Sequence, residues 1–126
     1  MFTTRVLAIV AVVFAAVVLA KPSTVPGAST VPGKQDATLA PGQSVQFRTS
    51  TSGAQTLTIT NTSVQSVAAV QINCSSWERP SMGIAIEPFK SYSHTAIFGG
   101  APMLIINTTN PNNPARINTM LSTVGG

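Results

Sequence analysis

From Ser44 onward, apolar and polar residues alternate with a period of two. Val45 and Phe47 interleave with Ser44, Gln46 and Arg48, and Leu57 and Ile59 with Thr56, Thr58 and Thr60. Successive side chains of a strand point to opposite faces, so each such run predicts a half-buried β-strand. The pattern continues with Ala68, Val70 and Ile72, then Ile84 and Ile86, then Tyr92 to Phe98, Met103 to Ile106 and Ala115 to Leu121. Turn formers divide the runs: Pro41-Gly42, Ser52-Gly53, Gly99-Gly100 and the stretch from Asn110 to Pro114. No segment after Ala20 has a helical period. About seven to eight short strands at this spacing predict an all-β fold, a small antiparallel β-sandwich that is either Ig-like or jelly-roll-like.

The strand pattern repeats within the chain. Pro41-x-x-Ser44 recurs as Pro88-x-x-Ser91, 47 positions later. Gly53-Ala54-Gln55-Thr56-Leu57 aligns with Gly100-Ala101-Pro102-Met103-Leu104. After a one-residue gap, Ile59-x-Asn61-Thr62-Ser63 aligns with Ile106-Asn107-Thr108-Thr109. Two copies are too few for a solenoid, whose stacked units number about three or more. An internal duplication of a strand-turn-strand unit predicts instead two halves that close their apolar faces on each other as packed sheets. Coincidence in a Thr- and Asn-rich chain is the alternative.

Ahead of this domain lie two segments of different character. Residues 1–20 carry one cation, Arg5, then an uncharged run from Val6 to Ala20, with small residues before a cleavage point after Ala20. The run of about fifteen residues is shorter than the roughly twenty that cross a bilayer. It predicts a signal peptide and no stable membrane span once removed; a retained anchor reaching back to Phe2 is the alternative. Residues 21–36 contain Ser-Thr-Val-Pro-Gly twice, at Ser23 to Gly27 and Ser29 to Gly33. Each Pro-Gly pair favours a turn, and the composition predicts a linker. The β-sandwich domain is then expected over residues 37–126, secreted or displayed at the cell surface.

Composition narrows the functional classes. Of the 126 residues only 8% are charged, and the formal net charge is +4. Removal of Arg5 with the leader lowers it to +3, and the remaining bases are scattered. The high isoelectric point therefore reflects scarce acids, and the basic stripe of a nucleic-acid binder is absent.

Few residues offer chemistry. Cys74 is the sole cysteine, so the domain stands without an internal disulfide. It follows Ile72 by two positions, which predicts either a buried thiol or an intermolecular bridge. His94 is the only histidine, and a lone Cys and His fall short of the usual three or four zinc ligands. Glu78 and Glu87, the carboxylates of the β domain, form a glycosidase pair only if one cleft holds both. No cofactor or metal is expected, and no enzymatic activity.

The segment Ser75-Ser76-Trp77-Glu78-Arg79-Pro80 is the best binding candidate, since Trp and Arg dominate contact energy at interfaces and Trp faces stack on sugars. Trp77, Arg79 and Tyr92 are accordingly the candidate ligand-binding residues; a Trp packed over the end of the sandwich is the alternative. Asn61, Asn73 and Asn107 head Asn-x-Ser/Thr sequons, which become glycosylation sites in a eukaryotic secretory pathway. Gln55, Thr58, Thr60 and Thr62 read as the polar face of a strand.

Together these features predict a secreted or cell-surface, non-enzymatic module, structural or adhesive. Its partners would be itself, through a Thr-rich edge such as Gln55 to Thr62, or an extracellular protein or glycan. The alternative is a small carbohydrate-binding protein.

Overall fold

The computed structural model describes residues 23–24, 29–31 and 33–124. The expected signal peptide at residues 1–20 lies outside them. Among the described residues no helix is long and apolar enough to cross a membrane.

Eight strands carry the fold: β1 (Lys34–Leu39), β2 (Gln43–Phe47), β3 (Gln55–Asn61), β4 (Ala68–Asn73), β5 (Ser81–Ile86), β6 (Ser91–Ala96), β7 (Met103–Asn107) and β8 (Ile117–Thr123). They form two antiparallel four-stranded sheets, in the orders β2-β7-β4-β5 and β1-β8-β3-β6. The sandwich expected from the period-two pattern is therefore present. Of the two architectures weighed, the strand order is that of a jelly roll, in which every connection except the β4–β5 hairpin passes from one sheet to the other.

The inward rows build one core. Leu39, Val45, Phe47, Leu57, Ile59, Val70, Ile72, Met103, Ile105, Ile117 and Leu121 are all buried. In β3 the burial alternates strictly, so the Thr residues face outward while Gln55, grouped with them in sequence, turns inward. Gln55 accepts from the Ser50 amide at 2.7 Å.

The duplication is visible in the topology and in hydrogen bonds. Advancing every strand by four, β1 to β5 and so on around the order, turns one sheet's strand order into the other's reversed. Asn61 and Asn107 occupy equivalent places, and both are fully buried. Asn61 donates Nδ2 to the carbonyls of Ser66 at 2.7 Å and Ile86 at 2.9 Å. Asn107 donates Nδ2 to Ala115 at 2.8 Å and Leu39 at 2.9 Å. Each Oδ1 accepts the backbone amide two residues on, from Ser63 at 2.9 Å and Thr109 at 3.1 Å. Each side chain thus ties its own strand end to the end of a strand in the opposite sheet, β5 or β1.

The Pro-headed turns match as well. Gln43 N–H donates to Ala40 O, and Lys90 N–H to Glu87 O, both at 3.0 Å. With Pro at the second position and positive φ at the third, these are type II turns. Gly42 fills the third position of one turn at φ 85°, but Phe89 fills it in the other at φ 61°. A side chain in this left-handed region is strained.

Two expectations from the sequence are corrected. Lys34 to Asp36, placed in the linker, belong to β1 and pair with β8. Part of the linker also pairs with the domain: Ser29–Val31 runs antiparallel to β1, and Ser23–Thr24 runs parallel to β2. Gly33, at φ 80°, sits in the connection that turns Ser29–Val31 back onto β1, where the second Pro-Gly pair predicts a turn. Ser23–Thr24 and Ser29–Val31, one from each repeat, thereby add to the edges of different sheets. The second correction concerns Gln55 to Thr62, expected as an exposed edge. β3 lies inside its sheet between β8 and β6, so its backbone is already paired on both sides.

Replacing Asn61 or Asn107 by Ala leaves two carbonyls and one amide, buried or part-buried, without their partner. Each substitution is expected to cost about 2–4 kcal/mol, measured as a lower urea midpoint at unchanged slope. A loss below about 0.5 kcal/mol would show the bonds to be dispensable. Phe89→Gly is expected to act oppositely and raise stability by about 1 kcal/mol, because Phe89 is 66% exposed and little burial is lost.

Candidate interaction surface

The candidate residues gather along one side of the sandwich, where β5 and β6 form the last strands of their sheets. Among the described residues β5 pairs only with β4, and β6 only with β3. Their inward rows are less deeply covered than the other strands: Met82, Ile84, Tyr92, His94 and Ala96 are half-buried. Central strands have neighbours on both sides, and these two do not.

The loop from Cys74 to Pro80 closes one corner of this side. It is held by Cys74 N–H donating to Pro80 O at 2.8 Å and Trp77 N–H to Cys74 O at 3.1 Å. The facing loop is pinned by Ser76, whose hydroxyl donates to Phe98 O and accepts from Ala101 N–H. Gly99 fits here for two reasons. Its φ is 78°, and an added Cβ would lie 2.9 Å from Ser76 Oγ.

Trp77 is 4% exposed. Its ring lies 5.0 Å from His94 and 5.2 Å from Phe98, so it belongs to a packed aromatic cluster. Trp77 Nε1 is buried without a hydrogen-bond partner among the described residues. The sequence expectation that Trp77, Arg79 and Tyr92 stand together as a ligand platform is therefore corrected. They lie on the same side of the fold, but Trp77 is the packed Trp of the alternative reading and offers no exposed face for stacking. Arg79 is exposed, with Nη1 at 3.8 Å from Met82 Sδ. Tyr92 is half-buried. Burial pushes the Tyr92 phenol above its ordinary range, and the positive charge of Arg79 works against that shift.

Cys74 is 1% exposed, with Sγ within 3.7 Å of Phe98 O and 3.8 Å of Ala101 O. An intermolecular bridge through Cys74 is thus ruled out in the folded domain, because no second thiol reaches a sulfur enclosed by its own chain. His94 packs against the Trp77 ring at 5.0 Å, and the hydrogen-bond partners of Cys74 Sγ are the Phe98 and Ala101 carbonyls. Glu78 and Glu87 lie beyond opposite ends of β5 and do not converge. Among the described residues no group of three His, Cys, Asp or Glu side chains is placed to hold a metal ion.

The sequons divide. Asn61 and Asn107 are wholly buried with both amide hydrogens engaged, so neither can carry a glycan in this fold. The Asn-Thr-Ser and Asn-Thr-Thr motifs serve instead as strand-end locks. Asn73 is half-buried. Its Oδ1 accepts from Gln71 Nε2 and Ser81 Oγ, each at 3.0 Å, which leaves its amide nitrogen as the sequon group outside these bonds.

Sequence reasoning missed the partner of the Thr row. Ser91, Ser93 and Thr95 project from β6 on the outer face beside Thr60, Thr58 and Thr56 of β3. The hydroxyls meet in pairs: Thr56 with Thr95 at 2.8 Å, Thr58 with Ser93 at 3.5 Å, and Thr60 with Ser91 at 2.7 Å. Cross-strand hydroxyl pairs of this kind stabilise a sheet. The alternation Ser-x-Ser-x-Thr was legible, but the strand it pairs with was not.

No protein-family model, characterised protein or solved structure shows significant similarity to the chain.

The chain contains one tyrosine, so its phenolate absorbance reports Tyr92 alone. The titration midpoint is expected above the ordinary 10.0, and Arg79→Ala is expected to move it higher still. The burial acts through the neutral phenol, so stability is retained below the unfolded-state midpoint and falls as pH rises through the folded-state one. A native midpoint at or below the ordinary value would contradict the placement of Tyr92 against the core.

Proposed function

We propose that this chain is a non-enzymatic structural or adhesive module, secreted or displayed at the cell surface, that works by self-association through its sheet edges. The observation that carries this reading is the unequal treatment of the two sides of the sandwich. On one side the chain's own Ser23–Thr24 and Ser29–Val31 pair with β2 and β1. On the other, β5 and β6 run six residues each with no charged residue and no proline. Folded proteins commonly blunt such edges with charges, prolines, bulges or a covering segment, because unpaired N–H and C=O groups recruit further strands. The low charge of the chain adds little repulsion between copies.

The carbohydrate-binding alternative depended on an exposed Trp77. With that ring packed inside, it rests on Arg79 and half-buried Tyr92 alone and is the weaker reading.

Size-exclusion chromatography with light scattering on the full secreted chain tests the proposal. The mass is expected to rise above the monomer value with concentration and to fall again on dilution. A monomeric mass over the whole micromolar range would overturn it.

A further inference from the structure

We infer that β6 is the contact strand of a symmetric pair, in which a second copy of this chain adds its own β6 antiparallel to the first across a two-fold axis at Ser93. The inference rests on the self-association reading above and specifies the surface, the partner and the register.

Three observations converge on it. First, β6 is a free edge of suitable length among the described residues: Ser91–Ala96 pairs there with β3 on one side only, and no charge or proline interrupts it. The equivalent strand under the internal two-fold is β2, which accepts Ser23–Thr24 at its corresponding edge. The same place in one half of the molecule thus already takes an added strand.

Second, the outer row of β6 is nearly palindromic. Ser91, Ser93 and Thr95 are exposed hydroxyl residues that alternate with Tyr92 and His94. Directly opposed residues of an antiparallel pair share a face, so an even register keeps hydroxyl row beside hydroxyl row. Among such registers, those centred on Ser93 and on His94 each pair five of the six residues of the strand, and only the one centred on Ser93 opposes all three hydroxyl residues to one another. It sets Ser93 against its own counterpart, Ser91 against Thr95, and Tyr92 against His94. Lys90 then falls opposite Ala96, so the cation nearest the strand does not meet its like. The hydroxyl pairs that join β3 to β6 would continue across the axis with the same chemistry.

Third, the side of the sandwich beside this edge is incompletely closed. Met82, Ile84 and Tyr92 pack against the core yet remain half-buried. A second copy joined along β6 covers them, as neighbouring strands cover the corresponding residues of β3 and β7. A contact of this symmetry is isologous and closes at two subunits, so it yields a dimer and no fibre.

The test uses the full secreted chain and single substitutions at exposed positions of β6. Ser93→Lys sets two like charges face to face at the axis. It is expected to leave the melting transition of the dilute protein unchanged and to reduce the light-scattering mass twofold, from dimer to monomer. Ser93→Cys is expected to form a covalent dimer under mild oxidation, with buried Cys74 not competing. Ser91→Cys and Thr95→Cys proteins should cross-link when mixed and far less when oxidised separately. Should the unaltered chain associate while Ser93→Lys still forms the same species and Ser93→Cys fails to cross-link, the β6 contact is overturned and self-association stands on another surface. A chain that stays monomeric at every concentration overturns both. Should Ser93→Lys destabilise the fold, Thr95→Lys offers the same charge test one pair from the axis.

Discussion

Two buried asparagines, Asn61 and Asn107, hold the connection between the sheets at the loop end of this sandwich. A strand leaving its sheet must satisfy the backbone groups exposed where the ladder stops, or bear the cost of burying them unpaired. Each asparagine answers this at one place, giving its amide hydrogens to carbonyls on either side and taking an amide of its own loop on Oδ1. The flanking bonds also repeat. Thr62 N–H donates to Arg116 O at 3.0 Å and Thr108 N–H to Ala69 O at 2.9 Å. Arg116 N–H in turn donates to Ser63 Oγ at 2.8 Å, and Ala69 N–H to Thr109 Oγ1 at 3.0 Å. The short motif Asn-Thr-Ser/Thr is thereby accounted for as structure, residue by residue, without appeal to glycosylation.

This matters more here than in a disulfide-bonded domain. With one buried cysteine the chain has no covalent cross-link within it, and its described ion pair is the exposed contact of Lys34 with Asp36 at 4.0 Å, a class of interaction worth little. Stability therefore rests on the packed inward rows and on hydrogen bonds that close strand ends. Phe89 marks where the two halves part company. Its counterpart Gly42 takes the left-handed turn position freely, whereas Phe89 holds it as a strained, exposed aromatic.

The same internal two-fold relates the outer strands of the two halves to one another. A symmetric pair of halves would leave all four outer strands equally open. Ser23–Thr24 and Ser29–Val31 break this equality by pairing with β2 and β1, whereas among the described residues no segment pairs with the outer edges of β5 and β6. An extended segment suits this role because its backbone supplies the pairing, whatever its side chains are.

The sequence by itself determined seven of the eight strands, the inward faces of most of them, the position of Cys74 on the apolar side and the existence of a repeated half; β1, half of it read as linker, it did not. These are local properties, since alternation fixes which side chains share a face and Pro-Gly fixes where the chain turns. Only the tertiary structure decided which strand neighbours which. Gln55 to Asn61 has the composition of an edge yet lies between two partners, and Ser91 to Ala96 is an edge although nothing in its own residues says so. Likewise Trp77 looks like a binding residue until the His94 and Phe98 rings close around it, and Asn61 and Asn107 look like glycan sites until carbonyls from distant strands claim their amides. Each of these outcomes depends on contacts between residues far apart in the chain, and periodicity along a strand carries no information about what lies across from it.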